Sequence, residues 1–138
     1  MRILNVAEKN DAAKKISAIL SQGKASRSPG KSVYNWIYEF KMNLNGVMVD
    51  MVVTSVTGHL MNMNIDPAYK SWHSCDPCTL MTPRTRVMKE VTPDSDNIAR
   101  TLKDEARRAQ QLFLWLDGDR EGENIAFEVI QCCTEVNR

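Results

Sequence analysis

The sequence predicts an α/β fold in which an open sheet with parallel strands is flanked by helices, and three observations carry that prediction. Residues 2–7 are an apolar run followed by a short polar turn and an amphipathic helical pattern. Leu112, Phe113, Leu114, Trp115 and Leu116 are five consecutive apolar residues that run straight into a turn rich in carboxylates and then into a second helical pattern. That order reads as a buried strand ending at the edge where open α/β sheets bind ligands. Between these units, Asn45-Gly46 separates two apolar runs, a strong signal for a β-hairpin.

Taken in order, the first strand is 2–7, with Glu8 and Lys9 at its carboxyl end. Asn10 or Asp11 can cap a helix running to about Leu20, with Ala12, Ala13, Ile16, Ile19 and Leu20 on one face and Gly23 as its stop. Residues 24–31 hold three cations and no acid, and read as a solvated loop, with phosphate contact as the alternative. The hairpin strands are 33–44 and 47–56, the second leading into Thr57, Gly58, His59 and Leu60. His59 is read either as a core histidine or as a residue reaching a phosphate. Residues 62–93 are interrupted by Pro67, Pro77, Pro83 and Pro93 and read as irregular, anchored to the core by Tyr69 and Trp72. A helix capped within 94–97 runs to about Ala109, the apolar strand 112–116 follows, and a last helix spans about 121–136.

The strand-to-helix turn holds Asp117, Asp119, Glu121 and Glu123 at alternate positions. Carboxylates this concentrated repel one another and call for a counter-charge, and a hard divalent cation such as Mg²⁺, which prefers oxygen ligands and keeps several waters, supplies it. Gly118 and Gly122 suit a tight turn and close ligand approach. Glu121 and Glu123 have a second reading, since acids in the first turn of a helix favour its dipole without any chemistry. Glu8 joins the pattern because parallel strands would bring it to the same edge as Asp117 and Asp119.

The whole chain limits the alternatives. Its 138 residues suffice for one domain with a real core, with 43% hydrophobic and 25% charged residues. No apolar run is long enough to span a membrane, and the amino terminus carries no signal-peptide core, so an intracellular location is expected. A net charge of +1 argues against binding nucleic acid through bulk positive charge. Cys132 and Cys133 fall in the last helix, where Cys133 continues the face of Ala126, Val129 and Ile130 as a small core residue. Cys75 and Cys78, with His73 nearby, have zinc-like spacing but no visible second pair, so free thiols are expected.

Three segments in register, Val6 to Lys14, Thr54 to Leu60 and Trp115 to Ile125, resemble the amino-terminal TOPRIM domain of type IA DNA topoisomerases. Within that family they resemble the eukaryotic topoisomerase III branch, and Asn10-Asp11-Ala12-Ala13-Lys14 with Ile37-Tyr38-Glu39-Phe40 points to its alpha form. The resemblance implies a Rossmann-like, mainly parallel sheet flanked by helices with a β-hairpin insertion. It implies that Glu8, Asp117 and Asp119 handle Mg²⁺, that Glu121 is a further catalytic acid, and that Lys9, His59 and Arg120 face DNA. In such enzymes a tyrosine attacks a scissile phosphate and forms a 5′-phosphotyrosine, and Glu8 could instead shuttle a proton to the leaving oxygen. Gly118 stands where relatives often carry cysteine.

Tyr34, Tyr38 and Tyr69 match no nucleophile motif of the family, so residues 1–138 are expected to be one TOPRIM domain of a larger protein, inactive alone. The resemblance further implies single-stranded DNA, a RecQ-family helicase and an OB-fold accessory protein as partners, roles in recombination and repair, and a nuclear location with the mitochondrion as a second compartment. A TOPRIM nuclease or primase, and a non-catalytic interaction domain whose acids only cap a helix, are the competing expectations.

Overall fold

The computed structural model describes residues 1–83 and 85–137; Arg138, the last residue of the expected domain, lies outside them. Strands β1 (Arg2–Ala7), β2 (Ser26–Pro29), β3 (Trp36–Leu44), β4 (Val47–Ser55) and β7 (Gln111–Trp115) form a sheet of order β2-β3-β4-β1-β7. β1 is parallel to both β4 and β7, whereas β2, β3 and β4 pair antiparallel. Helix α1 (Asn10–Leu20) covers one face, with Ala12, Ala13, Ile16 and Leu20 packed against Ile3, Ala7, Met51 and Val53. Helices α3 (Asp96–Ala106) and α4 (Arg120–Thr134) cover the other, where Ile98, Leu102, Ile125, Val129 and Cys132 meet Leu4, Val6 and Val52. The expected α/β class is what the chain adopts, with its parallel strands β4, β1 and β7 forming one end of the sheet.

The hairpin forms where Asn45-Gly46 placed it. Both residues have left-handed φ, 52° and 86°, as a two-residue turn matched to strand twist requires. Just past the end of α1, Gln22 and Gly23 are also left-handed, and the Gly23 N–H donates back to the Ala18 carbonyl at 2.8 Å. Its N-cap is Lys9, and Asn10 is already helical. Ile19, expected on the apolar face, is 75% exposed, because that face needs only the narrow stripe that touches β3 and β4.

Four further expectations are corrected. The basic stretch contains strand β2, an edge strand paired to β3, in which Arg27 stacks over the Trp36 ring at 3.5 Å. β7 is also an edge strand: among the described residues only β1 flanks it, its central residues are half-buried and Trp115 is 40% exposed. Residues 61–91 are less irregular than the prolines suggest. β5 (Met61–Ile65) and β6 (Val87–Val91) pair antiparallel, and the short helix α2 (Pro77–Leu80) lies between them. Trp72 is 90% exposed and anchors nothing to the core. Finally, the buried stripe of α4 is Ile125, Glu128, Val129, Cys132 and Cys133, with Ala126 and Ile130 turned partly outward. Burial pushes the Cys132 thiol up to about 11 and the Cys133 thiol up to about 12, so both behave as core hydrophobes at neutral pH.

Candidate functional site at the carboxyl edge of the sheet

The chain leaves β1 into α1 on one face of the sheet and leaves the neighbouring β7 into α4 on the other, so a crevice opens beyond their adjoining carboxyl ends. Backbone bonds from both neighbours converge there. The Glu8 N–H donates to the Trp115 carbonyl at 3.3 Å, the Val56 N–H to the Ala7 carbonyl at 2.9 Å, and the Gly58 N–H to the Glu8 carbonyl at 3.4 Å. Glu8 is therefore held between the ends of β7 and β4. Its side chain is 22% exposed and pairs with Lys9 at 3.4 Å.

Asp117, Gly118 and Asp119 are exposed in the turn after β7, one strand away from Glu8. Asp119 is the N-cap of α4: its Oδ1 accepts from the Gly122 N–H at 2.8 Å. Arg120 is exposed, and Glu121 and Glu123 occupy the first helical turn. Gly122 has a steric reason to be glycine, since a Cβ there would lie 2.0 Å from the Asp117 carbonyl oxygen. Gly118 has none: a Cβ would meet no heavy atom within 4 Å and its φ is not left-handed, so the turn does not depend on it.

The edge thus brings Glu8 together with the Asp117–Asp119 turn across 109 residues of sequence, with Lys9 beside them and His59 in front of Glu121. His59 Nε2 lies 3.9 Å from Glu121 Oε1, and the side chain is 41% exposed. Oxygen-only donors of this kind suit a hard cation. Among the described residues, no three His, Cys, Asp or Glu side chains converge as a ready metal cage. Such a cation would take one or two of these carboxylates and complete its shell with water or phosphate. Thr54 is structural. Its hydroxyl donates to the Trp36 carbonyl at 3.0 Å and accepts from the Asn35 amide at 2.8 Å.

Sequence reasoning missed Glu128. This side chain is 1% exposed, and its Oε2 accepts the N–H groups of Leu60 at 2.8 Å and Met61 at 3.2 Å. Its Oε1 lies 3.3 Å from His59 Nδ1 and 3.2 Å from Lys89 Nζ. Burial alone pushes the Glu128 carboxyl up. The Leu60 N–H, Lys89, His59 and the Met61 N–H outweigh it, holding Glu128 below the usual carboxylate range. A signal was present: Glu128 sits at helical spacing between Ile125, Val129 and Cys132, a lone acid on an apolar stripe.

A Toprim domain model matches residues 3–138 of this chain. The chain is 49% identical to DNA topoisomerase 3-alpha of Arabidopsis thaliana over 134 residues, covering 97% of this chain and 14% of that protein. It is 46% identical to DNA topoisomerase 3-alpha of Drosophila melanogaster, covering 99% and 11% respectively. For the human DNA topoisomerase 3-alpha the identity is 44%, covering 98% of this chain and 13% of that protein. The chain spans less than a fifth of the length of each of these relatives.

Two outcomes follow from the geometry. Gly122→Ala loses about 2 kcal/mol or more of stability by overpacking, while Gly118→Ala stays within about 0.5 kcal/mol of the parent, as read by chemical denaturation. Glu128, lowered in the folded state, adds stability that is present above the unfolded carboxyl value near pH 4.3 and is lost as pH falls through its folded value. Glu128→Gln therefore costs about 3 kcal/mol at pH 7 and flattens the acid limb of the stability curve. An unchanged acid limb in that variant refutes the assignment.

Proposed function

Because this chain belongs to the Toprim family, we propose that it is the Mg²⁺-handling domain of a type IA DNA topoisomerase of the topoisomerase III kind. The observation that carries this reading is the placement of Glu8, Asp117 and Asp119 at the adjoining carboxyl ends of two parallel strands. The identity to topoisomerase 3-alpha proteins supports it.

In this reading Glu8, Asp117 and Asp119 hold the cation, and Glu121 is the further acid that faces the reacting phosphate. When bound, Mg²⁺ neutralises phosphate charge and orients the leaving oxygen. Lys9, His59 and Arg120, arranged around that edge, receive the single-stranded DNA backbone, and such contacts position the strand without reading its sequence. The alternative for Glu8, proton transfer to the leaving oxygen, uses the same location. The nucleophilic tyrosine and the gate for strand passage are assigned to segments outside these residues. Tyr38 is buried in the core, and Tyr34 and Tyr69 lie away from the carboxylate turn in sequence and element. By extension from the family, a RecQ-family helicase and an OB-fold protein are proposed as partners of the whole enzyme in recombination and repair, in the nucleus and the mitochondrion.

One observation favours a second reading, in which the acidic turn is only structural: Asp119 already spends an oxygen on the α4 cap. Asp119→Asn separates the two, because asparagine caps as well as aspartate but carries no charge.

Titrating the isotopically labelled chain with Mn²⁺ is expected to broaden amide signals at Glu8 and at Gly118 through Gly122. Asp117→Asn and Asp119→Asn should each weaken the ion about tenfold, or about 1.4 kcal/mol, with stability nearly unchanged. Ion affinity unaffected by both substitutions establishes the cap reading instead. The purified chain is expected to leave supercoiled plasmid unrelaxed, and relaxation overturns the assignment of the tyrosine to another segment.

A further inference from the structure

The buried carboxylate of Glu128 contacts three elements at once. From α4 it reaches the loop after β4 through His59 Nδ1 and the Leu60 N–H, β5 through the Met61 N–H, and β6 through Lys89. Asn124, one turn earlier on α4, completes the group. Its Oδ1 accepts from Lys89 at 3.0 Å, which leaves its amide nitrogen 3.4 Å from both Glu128 Oε1 and His59 Nδ1. The opposite ring nitrogen of His59, Nε2, faces Glu121 at 3.9 Å.

These distances decide the protonation pattern of the ring. An ionised carboxylate only accepts, so with Glu128 Oε1 at 3.3 Å a lone pair on Nδ1 would face another lone pair, whereas an Nδ1–H makes a charge-assisted bond. The competing arrangement places the proton on Nε2 and lets the Asn124 amide donate to Nδ1 at 3.4 Å. A neutral amide donor at the longer distance is the weaker partner, by roughly a factor of two in bond strength. With Nδ1–H committed to Glu128, Nε2 carries the ring's lone pair, on the side facing the exposed Glu121.

We propose that Glu128 is a positioning residue for His59, fixing the imidazole as its Nδ1–H tautomer so that Nε2 is presented to the acidic turn and to a DNA phosphate arriving there. The inference rests on the reading of that edge as a phosphate-handling site. Glu128 touches no substrate in this scheme. It acts through His59, and Lys89 supplies the countercharge that lets a carboxylate sit buried beside the site.

The test is the long-range proton–nitrogen correlation spectrum of His59 in the labelled chain, without metal or DNA, at about pH 8.5, where an imidazole is ordinarily neutral. The unsubstituted chain is expected to show the Nδ1–H pattern. Glu128→Gln can still accept from Leu60 and Met61 through its oxygen, but it turns an NH₂ donor toward Nδ1 and should switch His59 to the Nε2–H pattern. Dispersed amide signals from the central strands establish that the variant is folded. Asn124→Ala, which removes the competing donor, should keep Nδ1–H. An Nε2–H pattern in the unsubstituted chain, an unswitched Glu128→Gln, or a switch in Asn124→Ala overturns the proposal, and the first and third of these need no folded Glu128 variant. Because the spectrum is recorded without metal, a failed tautomer prediction and a failed metal assignment remain separate results.

Discussion

The register of β1 against its two parallel neighbours is the constraint on which the rest depends. Leu4 and Val6 face the layer of α3 and α4, while Ile3 and Ala7 face α1, so a slip of one residue would send each pair into the wrong layer. Asn5, fully buried in the middle of the strand, fixes that register with side-chain bonds. Its amide donates to the Ile3 carbonyl at 3.3 Å and the Val52 carbonyl at 3.2 Å, and its oxygen accepts from the Trp115 indole at 3.0 Å. A buried amide left unpaired costs a kilocalorie or more, so any other alignment forfeits both packing and these bonds. With β4, β1 and β7 locked together, Glu8 and the turn after β7 have only one edge at which to meet.

The two ends of the central strand are treated differently. At the amino end, the Arg2 guanidinium is clamped by Glu39 at 2.7 Å and by the buried Glu105 at 2.8 Å, tying β1 to β3 and α3. Those charges are consumed in structure. At the carboxyl end Asp117 and Asp119 stay exposed, and among the described residues Glu8 keeps only an exposed lysine as its ion-pair partner. The two ends of β1 therefore differ in how their carboxylates are neutralised, and this asymmetry is the electrostatic argument for the proposed cation at the open edge. Glu128 bridges the two regimes: satisfied and buried like Glu105, yet within reach of His59 at the open edge.

Much of this was legible because local chemistry and fold agreed. Asn45-Gly46 could form only a tight hairpin turn, Gly23 marked a helix end, and the abrupt passage from five apolar residues to alternating acids marked a strand ending in an acidic turn that opens a helix. Where the reading failed, the missing information was which elements lie side by side. Residues 112–116 are apolar enough for a central strand, but among the described residues no strand flanks β7 on its outer side. Ser26–Pro29 looks like a loop until β3 offers it a partner. Trp72 is large and aromatic, yet it sits between β5 and β6 in a segment of which, among the described residues, the ends alone, Met61 and Val91, reach the core.

The amino-acid sequence by itself determined the elements that frame the acidic turn, the identity of the acids at the strand ends and the family, because these follow from periodicity, turn chemistry and motifs that are local along the chain. Only the tertiary structure decided that β7 is an edge strand, that Asp119 caps α4, and that Glu128 holds His59, since each of these is a contact or its absence between segments the sequence leaves far apart. Glu128 and His59 are 69 residues apart, and no local rule relates them. Packing α4 against the loop after β4 makes them neighbours, and burial makes the carboxylate demand a partner.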